Sequence, residues 1–187
     1  PADGPGGRRA ATLASYRPRA MATIRALSLN IHKGFSAGNR RFILPALREA
    51  VRSTGADIVF LQEVLGRHDV HERRVPGWPT APQIEYLADS VWPSFAYGRN
   101  AIYPAGHHGN AILSKFSIAD PVNIDISSSR VERRGFLFGR METPVGSVVC
   151  VCVHLSLRER DRGKQYRRIV DEIGPRLARD EALIIAG

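Results

Sequence analysis

Apolar residues recur in short runs of strand length, separated by stretches with helical spacing. Residues 22–31 form the first run, and residues 57–64 form a near-continuous run that is typical of a central strand buried on both faces. Residues 39–54, between these runs, carry apolar positions at helical spacing. We place the start of that helix at Pro45, because proline is tolerated in a first turn. The three elements predict a β-α-β unit.

The rest of the chain alternates in the same way. We predict a helix at 82–91, strands at 95–100, 109–115 and 122–127, a hairpin over 135–155, a helix at 159–179 and a closing strand at 182–187. Residues 65–80 have no hydrophobic period and are rich in charge, glycine and proline. We therefore predict a long surface loop there, of the kind that often carries function. The pattern as a whole is that of an α/β domain.

Composition narrows the class of protein. No run approaches the roughly 18 to 20 apolar residues that a membrane helix needs, so no membrane span is expected. Residues 1–21 combine proline, glycine and arginine without a period and lack the apolar centre of a secretory signal. We expect a disordered leader there and one domain over 22–187. Cys150 and Cys152 fall on the same face of one strand, where a disulfide is strained, so buried free thiols and a cytoplasmic location are expected.

The formal net charge of +9 suits an anionic partner such as a phosphodiester or an acidic membrane surface. However, 24 of the 27 basic residues are arginine and only 3 are lysine, a skew that biased coding composition also produces. An anionic partner and biased coding composition therefore explain the net charge equally well.

Polar side chains stand where several strands end. Asn30 ends the first strand, Glu63 ends the second, and His154 interrupts an apolar run near residue 150. A carboxylate that follows a buried strand is costly unless it is paired or holds a cation, and Mg²⁺ needs only one or two protein carboxylates. Glu63 is thus either a metal ligand or an exposed strand end paired with an arginine, and His154 is either a site residue or a hydrogen-bonded core histidine.

Five segments, in this order and near these separations, resemble the endonuclease/exonuclease/phosphatase superfamily of metal-dependent phosphoesterases. They are SLNIHKG at 28–34, DIVFLQEV at 57–64, GNAILSK at 109–115, VCVHL at 151–155 and LIIAG at 183–187. Together with ERRG at 132–135, they look most like a bacterial branch that carries NIHKG. The resemblance covers about 23–187. It implies a two-sheet β-sandwich flanked by helices, a four-layer α/β/β/α fold, of which this chain covers the N-terminal part.

The resemblance also implies roles for individual residues. Glu63 matches a direct metal ligand, for Mg²⁺ or alternatively Mn²⁺. His154 matches a catalytic histidine that contacts the scissile phosphate, and Asn30 matches a catalytic asparagine beside the metal. Substrate-side roles follow for neighbouring positions, namely His107, His108, Asn110 and, by a looser match, Arg134; the alternative for the two adjacent histidines is that they stabilise a tight glycine turn.

The chain departs from the family pattern at its end. The family continues the last strand into Gly-Asp-Phe-Asn and carries an Asp-His pair further on, whereas this sequence stops at Gly187. We expect the domain to be incomplete at its C-terminus. The expected function is Mg²⁺-dependent hydrolysis of a phosphoester, with nucleic acid or a phospholipid head group as the partner. The alternative is a non-catalytic module that binds phosphate or nucleic acid and keeps the fold without the chemistry.

Overall fold

The computed structural model describes residues 22–129 and 132–187, which contain two four-stranded sheets and four α-helices. The strands are β1 (Ala26–Asn30), β2 (Ile58–His68), β3 (Ser94–Tyr103), β4 (Gly106–Ser114), β5 (Ile118–Asp125), β6 (Gly135–Thr143), β7 (Gly146–Val153) and β8 (Ala182–Ala186). The helices are α1 (Leu44–Ser53), α2 (Asp69–Arg74), α3 (Gln83–Ala88) and α4 (Glu159–Ile173). The leader predicted at 1–21 lies outside the described residues.

The two sheets have the same arrangement of parallel and antiparallel pairs. In the order β1-β2-β4-β3, β1 runs parallel to β2 and the other neighbours are antiparallel. In the order β5-β6-β7-β8, only β7 and β8 are parallel. Helix α1 connects β1 to β2, which confirms the predicted β-α-β unit.

Three apolar clusters separate four layers. One fills the space between the sheets, where Phe60 and Ile112 meet Leu137 and Cys150. A second packs α1 and α3 on the outer face of the first sheet, and a third packs Ile169 of α4 on the second sheet. This is the expected α/β/β/α sandwich, and it places the ends of strands from both sheets beside one another.

The prediction of a surface loop over 65–80 is wrong in its first half. Strand β2 continues to His68 and helix α2 follows directly. A register shift between Leu65 and Arg67 lets β2 continue past Gly66, and the ring of His68 accepts a hydrogen bond from the backbone N–H of His71 at the helix start. A glycine bulge and a histidine cap leave no hydrophobic period, so the sequence pattern could not reveal them.

The structure corrects one smaller prediction and confirms another. The long helix ends at Ile173 rather than at 179, because Gly174 and Pro175 turn the chain into a single 3-10 turn. Cys150 and Cys152 are buried free thiols, as expected. Among the helices of the described residues, none is long and apolar enough to cross a membrane.

Candidate functional site

Glu63 lies in a bulge of β2. The pairing with β4 shifts between Leu61 and Val64, so that Gln62 and Glu63 both oppose Asn110. The backbone of Glu63 has φ 56°, in the left-handed region that non-glycine residues rarely adopt. A bulge of this kind re-aims a side chain, and left-handed backbone at a non-glycine residue costs of order 1–3 kcal/mol. The fold therefore accepts local strain to direct this carboxylate out of the strand.

Donor groups from three segments surround the Glu63 carboxylate. Asn30 Nδ2 lies 3.3 Å from Oε1 and Lys33 Nζ lies 3.4 Å from Oε2. His154 Nε2, from the end of the other sheet, lies 3.9 Å from Oε1. Asn30 is itself held in place, because its Oδ1 accepts a 2.9 Å hydrogen bond from the backbone of His32. The structure thus brings together the three residues that the sequence placed at strand ends.

The surroundings favour the ionised form of Glu63. Its side chain is only 19% exposed, and burial alone would raise the pKa of the carboxyl. The hydrogen bond from Asn30 and the charge of Lys33 outweigh burial, so the pKa lies below its ordinary value. At neutral pH the bulge presents a negative charge to the cleft between the sheets.

Arg134 determines which ring nitrogen of His154 carries the proton. Its Nη1 lies 3.4 Å from His154 Nδ1, and a guanidinium can only donate. Nδ1 must therefore accept, which leaves the proton on Nε2, the nitrogen that faces Glu63. Burial, followed by the Arg134 charge, holds the pKa of His154 below its ordinary value, so the ring is neutral at pH 7.

Arg134 is in turn fixed by an acid. Its Nη2 donates to Glu132 Oε1 at 2.7 Å, and the other oxygen of Glu132 accepts from Ser156 Oγ at 2.7 Å. The Arg134 side chain is only 15% exposed. A continuous chain of contacts therefore runs from Ser156 through Glu132, Arg134 and His154 to Glu63.

Asn110 and His108 form the wall of the cleft on β4. Asn110 is fully buried, and its Nδ2 donates to the carbonyls of Gly135 (2.8 Å) and Cys152 (3.2 Å), which joins the two sheets. Burial, with the Lys33 charge as the next cause, lowers the pKa of His108 to about 4, so this ring is also neutral.

Three buried polar atoms of the cleft have no protein partner among the described residues. They are Asn110 Oδ1, His108 Nδ1 and Arg134 Nε. Leaving a buried polar group unsatisfied costs about 1–3 kcal/mol, so native proteins normally satisfy such atoms with water or a ligand. The same three residues line one small cleft together with Glu63 and His154.

His107 is not part of this arrangement. Side chains alternate along β4, so His107 points to the opposite face of the sheet, where its Nδ1 lies 3.0 Å from the hydroxyl of Tyr97. That hydroxyl donates its proton to the carbonyl of Val64. Of the two adjacent histidines, only His108 faces the cleft, and neither lies in a tight glycine turn, because both belong to β4.

Sequence reasoning missed three residues of the cleft. Lys33 contacts Glu63, and Asn100 and Arg133 line the same cleft. Lys33 reaches the carboxylate because its backbone has φ 60° inside a 3-10 turn. Asn100 is the extra residue at a register shift of β3 between Arg99 and Ala101. Positive φ angles and bulges have no clear signature in a single sequence. The motif NIHKG, which contains Lys33, was the only sequence signal for that residue.

The side chains of the cleft fit a hard divalent cation that keeps most of its bound waters. Across the described parts of the chain, no three His, Cys, Asp or Glu side chains cluster as a metal cage. The cleft supplies one carboxylate, at Glu63. Hydrogen bonds donated by Asn30 and Lys33 keep this carboxylate ionised. Mg²⁺ is commonly held by one or two carboxylates together with substrate phosphate, whereas a structural Zn²⁺ site needs four protein ligands.

Comparison with known proteins identifies the family. Residues 27–187 match the model of the Endonuclease/Exonuclease/phosphatase family. The chain belongs to this family. A curated relative, described as "Uncharacterized protein YbhP" of Escherichia coli strain K12, is 49% identical over 167 residues, which cover 88% of this chain and 66% of that protein. The chain thus spans just under two thirds of the length of the curated relative.

Solved structures of other proteins share the fold. A family member from Beutenbergia cavernae aligns with a TM-score of 0.66 at 22% identity and covers 82% of this chain and 45% of its own. Sphingomyelinase C from Streptomyces griseocarneus aligns with a TM-score of 0.61 at 14% identity and covers 88% of this chain and 63% of its own. At these identities, the likeness establishes the sandwich architecture.

Proposed function

We propose that this chain carries the metal-binding residues of the active centre of a Mg²⁺-dependent phosphoesterase, a phosphodiesterase or phosphatase. The observation that carries the proposal is the strained bulge that directs Glu63 at His154 of the opposite sheet. Strain of this size persists where function requires it, and family membership supports the reaction class. Mn²⁺ is the alternative cation.

The proposal assigns roles to six residues of the cleft. Glu63, supported by Asn30, holds the cation, and a bound divalent cation supplies positive charge that offsets the charge on a phosphoryl oxygen. His154 donates its Nε2–H to the phosphate, and Arg134 holds the ring in that tautomer. The free Oδ1 of Asn110 and Nδ1 of His108 complete the polar wall around the ester.

A non-catalytic phosphate-binding module is the second candidate. Glu63 is the only carboxylate that lines the cleft among the described residues, and Glu132 is already bonded to Arg134 and Ser156. The described cleft therefore offers no second carboxylate to activate water. Hydrolysis by the full-length protein decides between the two candidates.

The test uses full-length protein with bis(p-nitrophenyl) phosphate as a diester and p-nitrophenyl phosphate as a monoester, in Mg²⁺, in Mn²⁺ and in EDTA. We expect cation-dependent release of p-nitrophenol. Glu63→Gln should lower the rate by about 1,000-fold, the scale of removing a metal-centred or oxyanion-type stabilisation. Glu49→Gln, at a 69% exposed carboxylate on α1, is the matched control. Cation binding without turnover would favour the binding module, and full activity of Glu63→Gln would remove Glu63 from the site.

Two further parts of the proposal concern context. The substrate class includes nucleic acid and phospholipid head groups, because both offer a phosphodiester to a basic protein. A reducing cytoplasm suits the two free cysteines, which burial keeps as thiols by raising the pKa of each to about 12. Localisation of a tagged full-length protein by fractionation tests that assignment.

A further inference from the structure

A run of aromatic rings leads away from the cleft. It begins at His108, whose ring centroid lies 5.8 Å from that of Tyr103, and continues from Tyr103 to His68, again at 5.8 Å. The rings of His68 and His71 stack at 3.7 Å with an interplanar angle of 22°. From His71 the run reaches Trp78 at 5.3 Å. All of these side chains are partly exposed, so they form a surface rather than a core.

At the other end of the run, two phenylalanine rings pack against Trp78 and His71. Trp78 stacks on Phe42 at 5.1 Å, and Phe35 packs against both Phe42 and His71 at 5.5 and 5.1 Å. This contact set holds the indole ring in a fixed orientation beside helix α2. Trp92 differs, because it is fully buried and its Nε1 donates to the backbone in the core. The exposed rings are therefore not simply the margin of the hydrophobic core.

A cavity of about 310 Å³ opens between His68 and Trp78. Charged side chains line it next to the rings, among them those of Arg67 and Glu72. This lining is not the continuous apolar surface that an acyl chain needs. A planar heterocycle offers a π-face to the rings and hydrogen-bonding edges to the polar groups, so it matches both kinds of lining.

Burial is the first cause that lowers the pKa of His71, which favours the neutral ring there. A neutral ring stacks on a heterocycle without the desolvation cost of an imidazolium. The run is also continuous with the phosphate cleft, because His108 belongs to both.

We propose that the ring run and the cavity between His68 and Trp78 form a stacking subsite for a nucleobase. The phosphoester that reaches Glu63 then belongs to a nucleotide or a nucleic acid strand. This inference rests on the proposed function for its link to hydrolysis, but base binding itself does not depend on turnover.

Tryptophan fluorescence of the full-length protein in EDTA tests the subsite, because Trp78 is partly exposed and Trp92 is fully buried. The probes are adenosine 5′-monophosphate, a four-nucleotide deoxyadenosine strand, base-free ribose 5-phosphate and dihexanoyl phosphatidylglycerol. We expect the two adenine probes to quench the emission, and Trp78→Phe to abolish the quench while calorimetry still detects binding. Tighter binding of the strand than of the monophosphate would assign the subsite to nucleic acid, and equal binding would assign it to nucleotides.

Substitutions separate stacking from general binding. Trp78→Ala should weaken adenine binding by about tenfold, within the range of one base-aromatic stack. His68→Ala tests the same surface if the tryptophan variant does not fold. Phe95→Ala, a 44% exposed ring at the opposite end of β3, is the control and should bind normally. Quenching by ribose 5-phosphate or by the lipid equal to that by the adenine probes, or binding by the Trp78 and His68 variants within twofold of wild type, would overturn the subsite.

The two proposals fail in different ways. Glu63→Gln should retain adenine binding in EDTA while it loses hydrolysis. If the wild-type protein hydrolyses the phosphodiester but does not bind the adenine probes, the subsite alone is contradicted. Base binding without cation-dependent hydrolysis would contradict the enzyme alone.

Discussion

Asn110→Ala should destabilise the fold, because this buried amide holds the two sheets together. The substitution removes both hydrogen bonds from Nδ2, to the carbonyls of Gly135 and Cys152. A typical intramolecular hydrogen bond contributes a net 0.5–1.5 kcal/mol or so, and a buried group left without a partner costs about 1–3 kcal/mol. Two such bonds at a fully buried position predict a loss of about 2–4 kcal/mol in the free energy of unfolding.

Asn123→Ala provides a matched control for this prediction. Asn123 also donates two hydrogen bonds between the sheets, to the carbonyl of Arg99 at 2.9 Å and to Oδ1 of Asn100 at 3.2 Å, but it is exposed. Water replaces the lost partners there, so its cost should stay below about 1 kcal/mol.

Urea unfolding of both variants and of wild type, followed by circular dichroism, measures the difference. The transition midpoint of Asn110→Ala should fall, with an unchanged dependence on denaturant. An Asn110→Ala variant within about 0.5 kcal/mol of wild type, or no less stable than Asn123→Ala, would refute the claim that buried amide bonds join the sheets.

Three further predictions concern catalysis, backbone packing and pH. His154→Ala should lower the turnover of a phosphodiester by roughly 100-fold, the scale of one preorganised donor, in steady-state assays; a change under about threefold would contradict its role. Gly109→Ala should cost about 3 kcal/mol in urea unfolding, because a Cβ there meets the carbonyl of Gly98, and an unchanged midpoint would contradict the packing. A backbone hydrogen bond from Arg25 and an ion pair with Lys115 lower the pKa of Asp57 below its ordinary value of 3.8. In urea unfolding, wild type should therefore be more stable than Asp57→Asn at pH 7 and should lose that advantage as the pH falls below 3.8. A difference in stability that does not change with pH would contradict this linkage.

The elements of the fold were largely predictable from hydrophobic pattern. The continuous run of β2 indicated a strand buried on both faces, and the structure buries Ile58 to Leu61 completely. Polar residues after three apolar runs predicted that Asn30, Glu63 and His154 lie together, and the structure places the other two beside Glu63. Asn30 lies close because β1 runs parallel to β2 with Asn30 opposite Gln62, next to the bulge. His154 lies close because the packing of the two sheets brings the end of β7 to the same cleft.

Bulges limit what the pattern can predict. A single extra residue in one strand reverses which face the following side chains occupy. The irregularities at Glu63, Gly66 and Asn100 therefore decide the lining of the cleft, and none of them changes the hydrophobic pattern enough to be seen. A different error affected the two adjacent histidines: the pattern predicts a strand that begins at 109, whereas β4 begins at Gly106, so His107 and His108 lie on opposite faces of it.

The ring run required the structure for a different reason. Its members come from segments that are distant in the sequence, with Phe42 before α1, His68 and Trp78 around α2, and Tyr103 at the end of β3. Nothing in the sequence pattern separates Trp78, which is partly exposed, from Trp92, which is fully buried.

Direct measurement of divalent-cation binding tests the central claim, that the Glu63 carboxylate is the metal ligand. Mn²⁺ titrated into the full-length protein and followed by electron paramagnetic resonance should bind at a site that Mg²⁺ competes for. Glu63→Gln should weaken that binding by about 100-fold, whereas Glu49→Gln should leave it unchanged. Mn²⁺ binding by Glu63→Gln with the affinity of wild type would contradict the account.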